Sequence, residues 1–295
     1  MRSPSCDPGQ PVPGRDTAGR PLQNRTGSRR IALAAAAAVA VAGSVMGLVA
    51  AAAPAGRAVR QASGPRPAAS GYGTQVARMA RVGKSAGQTA LRTSCRSVAH
   101  VGDSTSVDLI SSAYLPNRAD RIGARYAGVG VRHLKVDASG GRSIVEELPG
   151  QLNGYKVASR WRAGGYHGCW VFALGTNDAA NVAVGSSVGL TARIDQMMSV
   201  AHGEPVMWVN TRTQLSAGPY ANANEQAWDK ALVAALARYP NMRIFNWSAV
   251  AQPSWFLPDG IHYNSYGSAM RATAIADALA RAFPWDGHSA TRIVQ

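Results

Sequence analysis

The chain has 295 residues, 46% of them hydrophobic, which is enough for one or two domains with a real core. Its formal net charge is +15, from 31 Lys and Arg against 16 Asp and Glu. The surplus is almost all arginine and crowds toward the start of the chain, at Arg15, Arg20, Arg25, Arg29, Arg30, Arg57 and Arg60. No basic block with interleaved aromatics accompanies it, which sets nucleic acid aside as a partner and leaves topology and solubility as the reasons for the charge.

Residues 1–30 are rich in Pro, Gly and Arg and lack apolar periodicity, the composition of a disordered segment. The run "IALAAAAAVAVAGSVMGLVAAAA", residues 31–53, carries no charge over 23 residues. As a helix it rises about 34 Å, enough for a hydrocarbon core of about 30 Å. Arg29 and Arg30 at its front edge keep the N-terminus cytoplasmic. Three export readings fit: a transmembrane signal-anchor, which the length favours; a cleaved signal peptide, with small residues at Ala53 and Ala55; and a twin-arginine signal in "SRRIAL". All three put the remainder outside the cytoplasm, membrane-anchored or secreted. Residues 54–91 carry repeated Pro and Gly and read as a flexible linker.

From residue 92 to 286 strand-length apolar runs alternate with helically spaced segments. The runs are Val98–Val101, His133–Val136, Cys169–Leu174, Pro205–Val209 and Met242–Trp247. Between or after them come Ile194, Met197 and Met198; then Ala227, Ala231, Leu232, Ala235 and Leu236; then Met270, Ile275, Ala278 and Leu279. This order predicts an α/β domain, a parallel sheet of five strands with helices on both faces, followed by a tail over 287–295. Ligands of such sheets gather at the carboxyl ends of the strands.

Polar blocks stand at those ends. "GDS" places Ser104 after the first strand, and "VDASGGRS" places Gly141 and Arg142 after the second. "GTND" places Asn177 after the third, and "WFLPDGIHYN" places Trp255, Asp259 and His262 near the C-terminus. A serine nucleophile needs a base, and the base needs a carboxylate to hold its tautomer. A developing oxyanion needs preorganised donors, which Ser104 N–H, Gly141 N–H and the Asn177 amide can supply. Asp103 and Asp178 read as turn-holding residues rather than as acid–base groups. Arg142, Arg212 and Trp255 are candidate substrate contacts, with a solvated helix start as the alternative for Arg142, loop anchoring for Arg212 and packing of the loop for Trp255. His100 reads as a core residue. His133, His167 and His202 share no metal-ligand spacing, so neither metal nor cofactor is expected.

These blocks in this order resemble the SGNH/GDSL hydrolase family over roughly residues 95–283. "VNTRTQ", "YPNMRIFNW" and "WFLPDGIHYN" further resemble the extracytoplasmic SGNH domains of bacterial cell-wall O-acyltransferases. The resemblance implies a three-layer α/β/α sandwich. It makes Ser104 the nucleophile, His262 and Asp259 its triad partners, and Gly141 and Asn177 oxyanion donors. It implies a serine esterase acting on an acyl ester of an envelope glycan or lipid. An O-acyltransferase, served by a separate acyl-donor membrane protein, and a non-catalytic glycan-binding module are the alternatives. A monomer is expected. In the flavodoxin-like order 2-1-3-4-5 the first and third strands are neighbours. Counting back from Ser104 and Asn177, Cys95 and Cys169 then lie at adjacent strand starts, within disulfide reach in an oxidising compartment.

Overall fold

The computed structural model describes residues 91–287 and 291–295. The N-terminal segment, the apolar run and nearly all of the linker lie outside the described residues. Among the described residues no helix is long and apolar enough to cross a membrane.

Six parallel strands form one sheet in the order β2-β1-β3-β4-β5-β6. They are β1 (Ser97–Gly102), β2 (His133–Ala138), β3 (Cys169–Ala173), β4 (Val206–Val209), β5 (Met242–Phe245) and β6 (Ile293–Val294). The five expected strands and their order are present, and the sixth corrects the reading of 287–295 as a tail. Ile244 N–H donates to Arg292 O and Asn246 N–H to Val294 O, while Val294 is buried against the core. A two-residue strand leaves no periodicity to read.

Among the described residues eight α-helices connect and cover the sheet: α1 (Ser104–Ile110), α2 (Ile122–Gly128), α3 (Gly154–Ala163), α4 (Thr176–Ala183), α5 (Leu190–Ala201), α6 (Asn222–Ala235), α7 (Trp247–Val250) and α8 (Ser265–Ala282). Because side chains alternate along a strand, each strand feeds two cores. Val98, Val171, Met207 and Phe245 face Leu109, Ile122, Ile275 and Leu279 of α1, α2 and α8. Ala99, Trp170, Phe172, Trp208 and Ile244 face Val157, Ile194, Trp228 and Leu232 of α3, α5 and α6. The second core holds an aromatic chain, Trp170–Phe172–Trp208–Trp228, with ring centroids 5.7, 5.0 and 5.7 Å apart. The three layers match the expected sandwich.

Side-chain caps start α1, α3 and α8, while α4 begins at Gly175 without one. Asp103 accepts from Thr105 N–H at α1, Asn153 from Lys156 N–H at α3, and Asn264 from Gly267 N–H at α8. At the opposite end of the sheet Cys95 and Cys169 form the expected disulfide, with Cα atoms 5.7 Å apart and a sequence separation of 74.

Candidate active site

Ser104 is the first residue of α1, one residue beyond Asp103 at the carboxyl end of β1. Its N–H is therefore one of the unpaired first-turn donors of a helix. The strand-to-helix turn is tight: a Cβ on Gly102 would lie 2.3 Å from Ser106 Oγ, so only glycine fits there. Asp103 is buried and holds the turn, its Oδ1 accepting from Thr105 N–H at 2.9 Å and Thr105 Oγ1 at 2.7 Å. Burial raises its pKa against the opposing pull of the Thr105 hydroxyl. Beneath it, fully buried His100 lies 3.1 Å from Ser106 Oγ and 3.0 Å from Tyr126 OH. Burial, helped by the Arg271 charge, lowers the His100 pKa to about 3, so the ring is neutral.

His262 Nε2 lies 2.8 Å from Ser104 Oγ, across 158 residues of sequence. On its other side His262 Nδ1 lies 2.7 Å from Asp259 Oδ2. Asp259 Oδ1 accepts from Ile261 N–H at 2.9 Å and His262 N–H at 3.0 Å, so one carboxylate shapes the turn and orients the ring. Partial burial pushes the Asp259 pKa up, but the hydrogen bonds from His262 and Ile261 outweigh it and hold the carboxyl below its ordinary value. With the carboxylate at Nδ1, the ring proton sits there and Nε2 offers its lone pair to the serine hydroxyl. Gly260, at φ +69°, makes the turn possible, and its carbonyl accepts from Gln214 N–H at 2.8 Å.

The donor side is built differently. Gly141, at φ +68°, turns the chain after β2, and Asn177 is the second residue of α4. Asn177 Nδ2 donates to Arg142 O at 3.0 Å, tying α4 to the Gly141 loop. Tyr220 OH donates to Asn177 Oδ1 at 3.2 Å and so sets which way the amide faces. Asp178 Oδ1 accepts from Ile144 N–H at 2.9 Å and from Arg193 Nη1 at 2.8 Å. Arg193, fully buried, also meets both Glu146 oxygens, Ser186 Oγ and Val188 O. Burial pushes Asp178 up to about 6. For Glu146 burial acts the same way, but hydrogen bonds from Arg193, Ser186 and Ser143 bring the carboxyl down to about 2.

Each of the three candidate substrate contacts holds a loop in place. Arg142 is buried; it donates to Leu152 O, Gly102 O and Asp137 O and pairs with Asp137 Oδ1 at 2.8 Å. Its guanidinium pins the loop and faces no open space. Arg212 Nη1 donates to Ser248 O and Ala251 O, both at 2.9 Å, and anchors the segment after β5. Trp255 stacks on Trp247 with centroids 5.8 Å apart and meets Tyr266 edge-on at 6.2 Å, fastening its loop to α8. Tyr220, Arg193 and Glu146 escape a reading of the sequence, because no periodicity or spacing links them to the blocks they hold. Two further buried acids go unforeseen. Asp108, one helical turn beyond Ser104, is pushed by burial up to about 6, against the charges of His262 and Arg271. Glu225 is fully buried with neither carboxyl oxygen hydrogen-bonded, and burial pushes it up to about 9.

A parallel α/β sheet carrying a hydrogen-bonded serine–histidine–aspartate set on its carboxyl edge has the layout of the SGNH-type hydrolases, the class that the sequence blocks resemble. The sequence matches no family model and no curated protein. Among solved structures, the chain is similar to the C-terminal catalytic domain of Streptococcus pneumoniae peptidoglycan O-acetyltransferase A, at 15% identity over 64% of this chain and 94% of that one, with a TM-score of 0.47. It is also similar to a lipase/acylhydrolase from Enterococcus faecalis, at 15% identity over 63% and 95% of the two chains, with a TM-score of 0.49. A carbohydrate acetylesterase family member from Sinorhizobium meliloti shows 14% identity over 61% and 95%, with a TM-score of 0.49. At these identities the likeness is one of fold.

Proposed function

We propose that this protein is an extracytoplasmic serine esterase that removes short acyl groups from esters of a cell-envelope glycan or lipid. The observation that carries the reading is the continuous chain Ser104 Oγ–His262–Asp259, with contacts of 2.8 and 2.7 Å. In the reaction, Ser104 Oγ attacks the ester carbonyl carbon while His262 Nε2 takes the hydroxyl proton. Asp259 stabilises the imidazolium that forms. The oxyanion meets Ser104 N–H, Gly141 N–H and the Asn177 amide. Collapse of the tetrahedral adduct returns the proton to the leaving alcohol and leaves an acyl-serine. Water, deprotonated by the same histidine, then releases the acid and restores Ser104.

Water is favoured over a sugar hydroxyl as the second acceptor by the openness of the base. The His262 side chain is 35% exposed and that of Asp259 46% exposed, so solvent reaches the triad edge. The extracytoplasmic address follows from the uncharged run at 31–53 behind Arg29 and Arg30, and the Cys95–Cys169 disulfide agrees with an oxidising compartment. Treatment with a fluorophosphonate should place one covalent adduct on Ser104, located by peptide mass spectrometry. Turnover of a chromogenic acetyl ester should vanish in Ser104→Ala with the fold unchanged. An adduct elsewhere, or activity surviving the substitution, removes the nucleophile from this scheme. Acetate release should exceed sugar acetylation when an envelope glycan is offered as acceptor; the reverse ratio makes the protein a transferase.

A further inference from the structure

Charge is sorted along the strand direction. All strands are parallel, so their starts share one end of the sheet and their carboxyl ends the other. The catalytic end carries Asp103 after β1, Asp137 near the end of β2, and Asp178 and Asp259 in the site, with Asp137 paired to Arg142, Asp178 paired to Arg193, and Asp103 and Asp178 buried. Arg142 and Arg212 there donate to backbone carbonyls, as Arg96, Arg243 and Arg292 do at the opposite end. That opposite end is rich in arginine, and its Glu204, just before β4, is paired with Arg162 and His167. Arg96 precedes β1, Arg132 precedes β2, Arg292 precedes β6, and Arg243 is the second residue of β5.

These arginines form a connected surface. Arg132 N–H donates to Arg96 O at 2.8 Å, and Trp285 N–H donates to Arg92 O at 3.0 Å. The Arg96 guanidinium lies 4.3 Å over the Trp285 ring, and that of Arg243 lies 5.8 Å from the Phe283 ring. Arg243 and Arg292 repel one another across adjacent strands, and that repulsion adds to burial in lowering the Arg243 pKa. None of Arg92, Arg96, Arg132, Arg243 and Arg292 has a carboxylate partner among the described ion pairs. Asp286, next to Trp285, is itself engaged in an interaction. Within the cationic ring two apolar side chains stand out to solvent, Trp285 at 57% and Leu91 at 38% exposure. Leu91 is also where the chain arrives from the linker and the uncharged run.

We propose that this face docks on the anionic headgroup layer of a membrane, with Trp285 at the interface and the catalytic edge turned outward. The proposal rests on the anchored reading of residues 31–53. Arginines within a Debye length of an anionic leaflet are attracted to it, and an indole ringed by cations suits the boundary between headgroups and acyl chains. A soluble polyanion would use the arginines and leave Trp285 and Leu91 without a role, which favours the bilayer. The attraction acts at the arginine-rich end, at which Trp285 and Leu91 also stand, and so turns the catalytic edge outward.

The test uses the full chain, reconstituted into vesicles of neutral phosphatidylcholine or of phosphatidylcholine with phosphatidylglycerol, each containing brominated acyl chains that quench nearby indoles. Subtracting the signal of Trp285→Phe isolates Trp285. Quenching of that signal should be at least about threefold stronger on the anionic vesicles. It should disappear in half-molar salt and in the double variant Arg92→Glu/Arg132→Glu, whose substituted side chains are both exposed. That variant should hydrolyse a soluble ester at the wild-type rate, which shows that it folds. A chain that floats with vesicles but shows no Trp285 quenching, or equal quenching on both, overturns docking and leaves the anchor standing. A chain that floats with neither vesicle overturns the anchor and docking together. Retention on immobilised polyphosphate without quenching by anionic bilayers assigns the face to a soluble polyanion and also overturns the proposal.

Discussion

The two halves of the candidate site are held by opposite means. The base half, Asp259 and His262, sits on one exposed turn stabilised by its own carboxylate and by Gln214 N–H on Gly260 O. The donor half, Gly141 and Asn177, rests on a buried arginine that ties Glu146, Asp178 and two loop segments together. A proton-carrying ring gains from room to swing between the serine and a leaving group. Oxyanion donors gain from not moving at all, because preorganisation is what makes them effective. The difference makes separable effects of substitution the means of testing the comparison: base-side changes should alter turnover alone, and donor-side changes should reach the fold.

Asp259→Asn gives the largest contrast. It should lower kcat on a soluble ester by about 10⁴-fold, since the amide leaves the ring in the wrong tautomer. The melting temperature should hardly move, because an exposed pair contributes little to stability. Steady-state kinetics beside thermal denaturation of the same sample checks both halves. Arg193→Met comes next. Two carboxylates lose their cation, and Asp178 is left buried without it, at a cost of about 3–5 kcal/mol in urea-unfolding free energy. A loss confined to kcat, with stability intact, would contradict the clamp.

Asn177→Ala should lower kcat by about 10²–10³-fold with little change in KM, as removal of one oxyanion donor does. A kcat that is unchanged takes Asn177 out of the oxyanion hole and leaves it as a tie to Arg142 O. Glu225→Gln leaves turnover alone and changes stability in a way that depends on pH. An unfolded glutamate titrates near 4.3, and the folded Glu225 near 9. Between those values the folded state keeps a proton that the unfolded state has lost, so wild-type stability falls as pH rises through the window. Glutamine is neutral in both states and removes that slope. The variant should match wild type near pH 4 and exceed it by a margin that grows steadily as pH rises toward 9. Equal slopes would mean that Glu225 is ionised in the fold.

The strands were legible because a fully buried parallel strand reads as an unbroken apolar run, as "CWVFA" does at β3. The serine, histidine and aspartate were legible because each closes a short block whose chemistry has few other uses. α3 was not: its ten residues include Lys156, Arg160, Arg162 and two large aromatics, and only Gly154, Val157 and Ala158 are buried. The candidate substrate contacts were left open for one cause. Arg142 and Arg212 lie in loops beside the site, and sequence reveals their charge but not the carbonyls that absorb their donors. Trp255 likewise shows its ring without showing Trp247 beneath it. Tyr220 and Arg193 act through contacts spanning 43 and 47 residues, which no local pattern encodes.

The link between Cys95 and Cys169 spans the starts of β1 and β3, a full strand length from Ser104 and Asn177 at their other ends. By restricting the unfolded chain across 74 residues it is worth about 4 kcal/mol. A reductant should therefore shorten the working life of a preparation while leaving untouched the turnover number of every molecule that has yet to unravel.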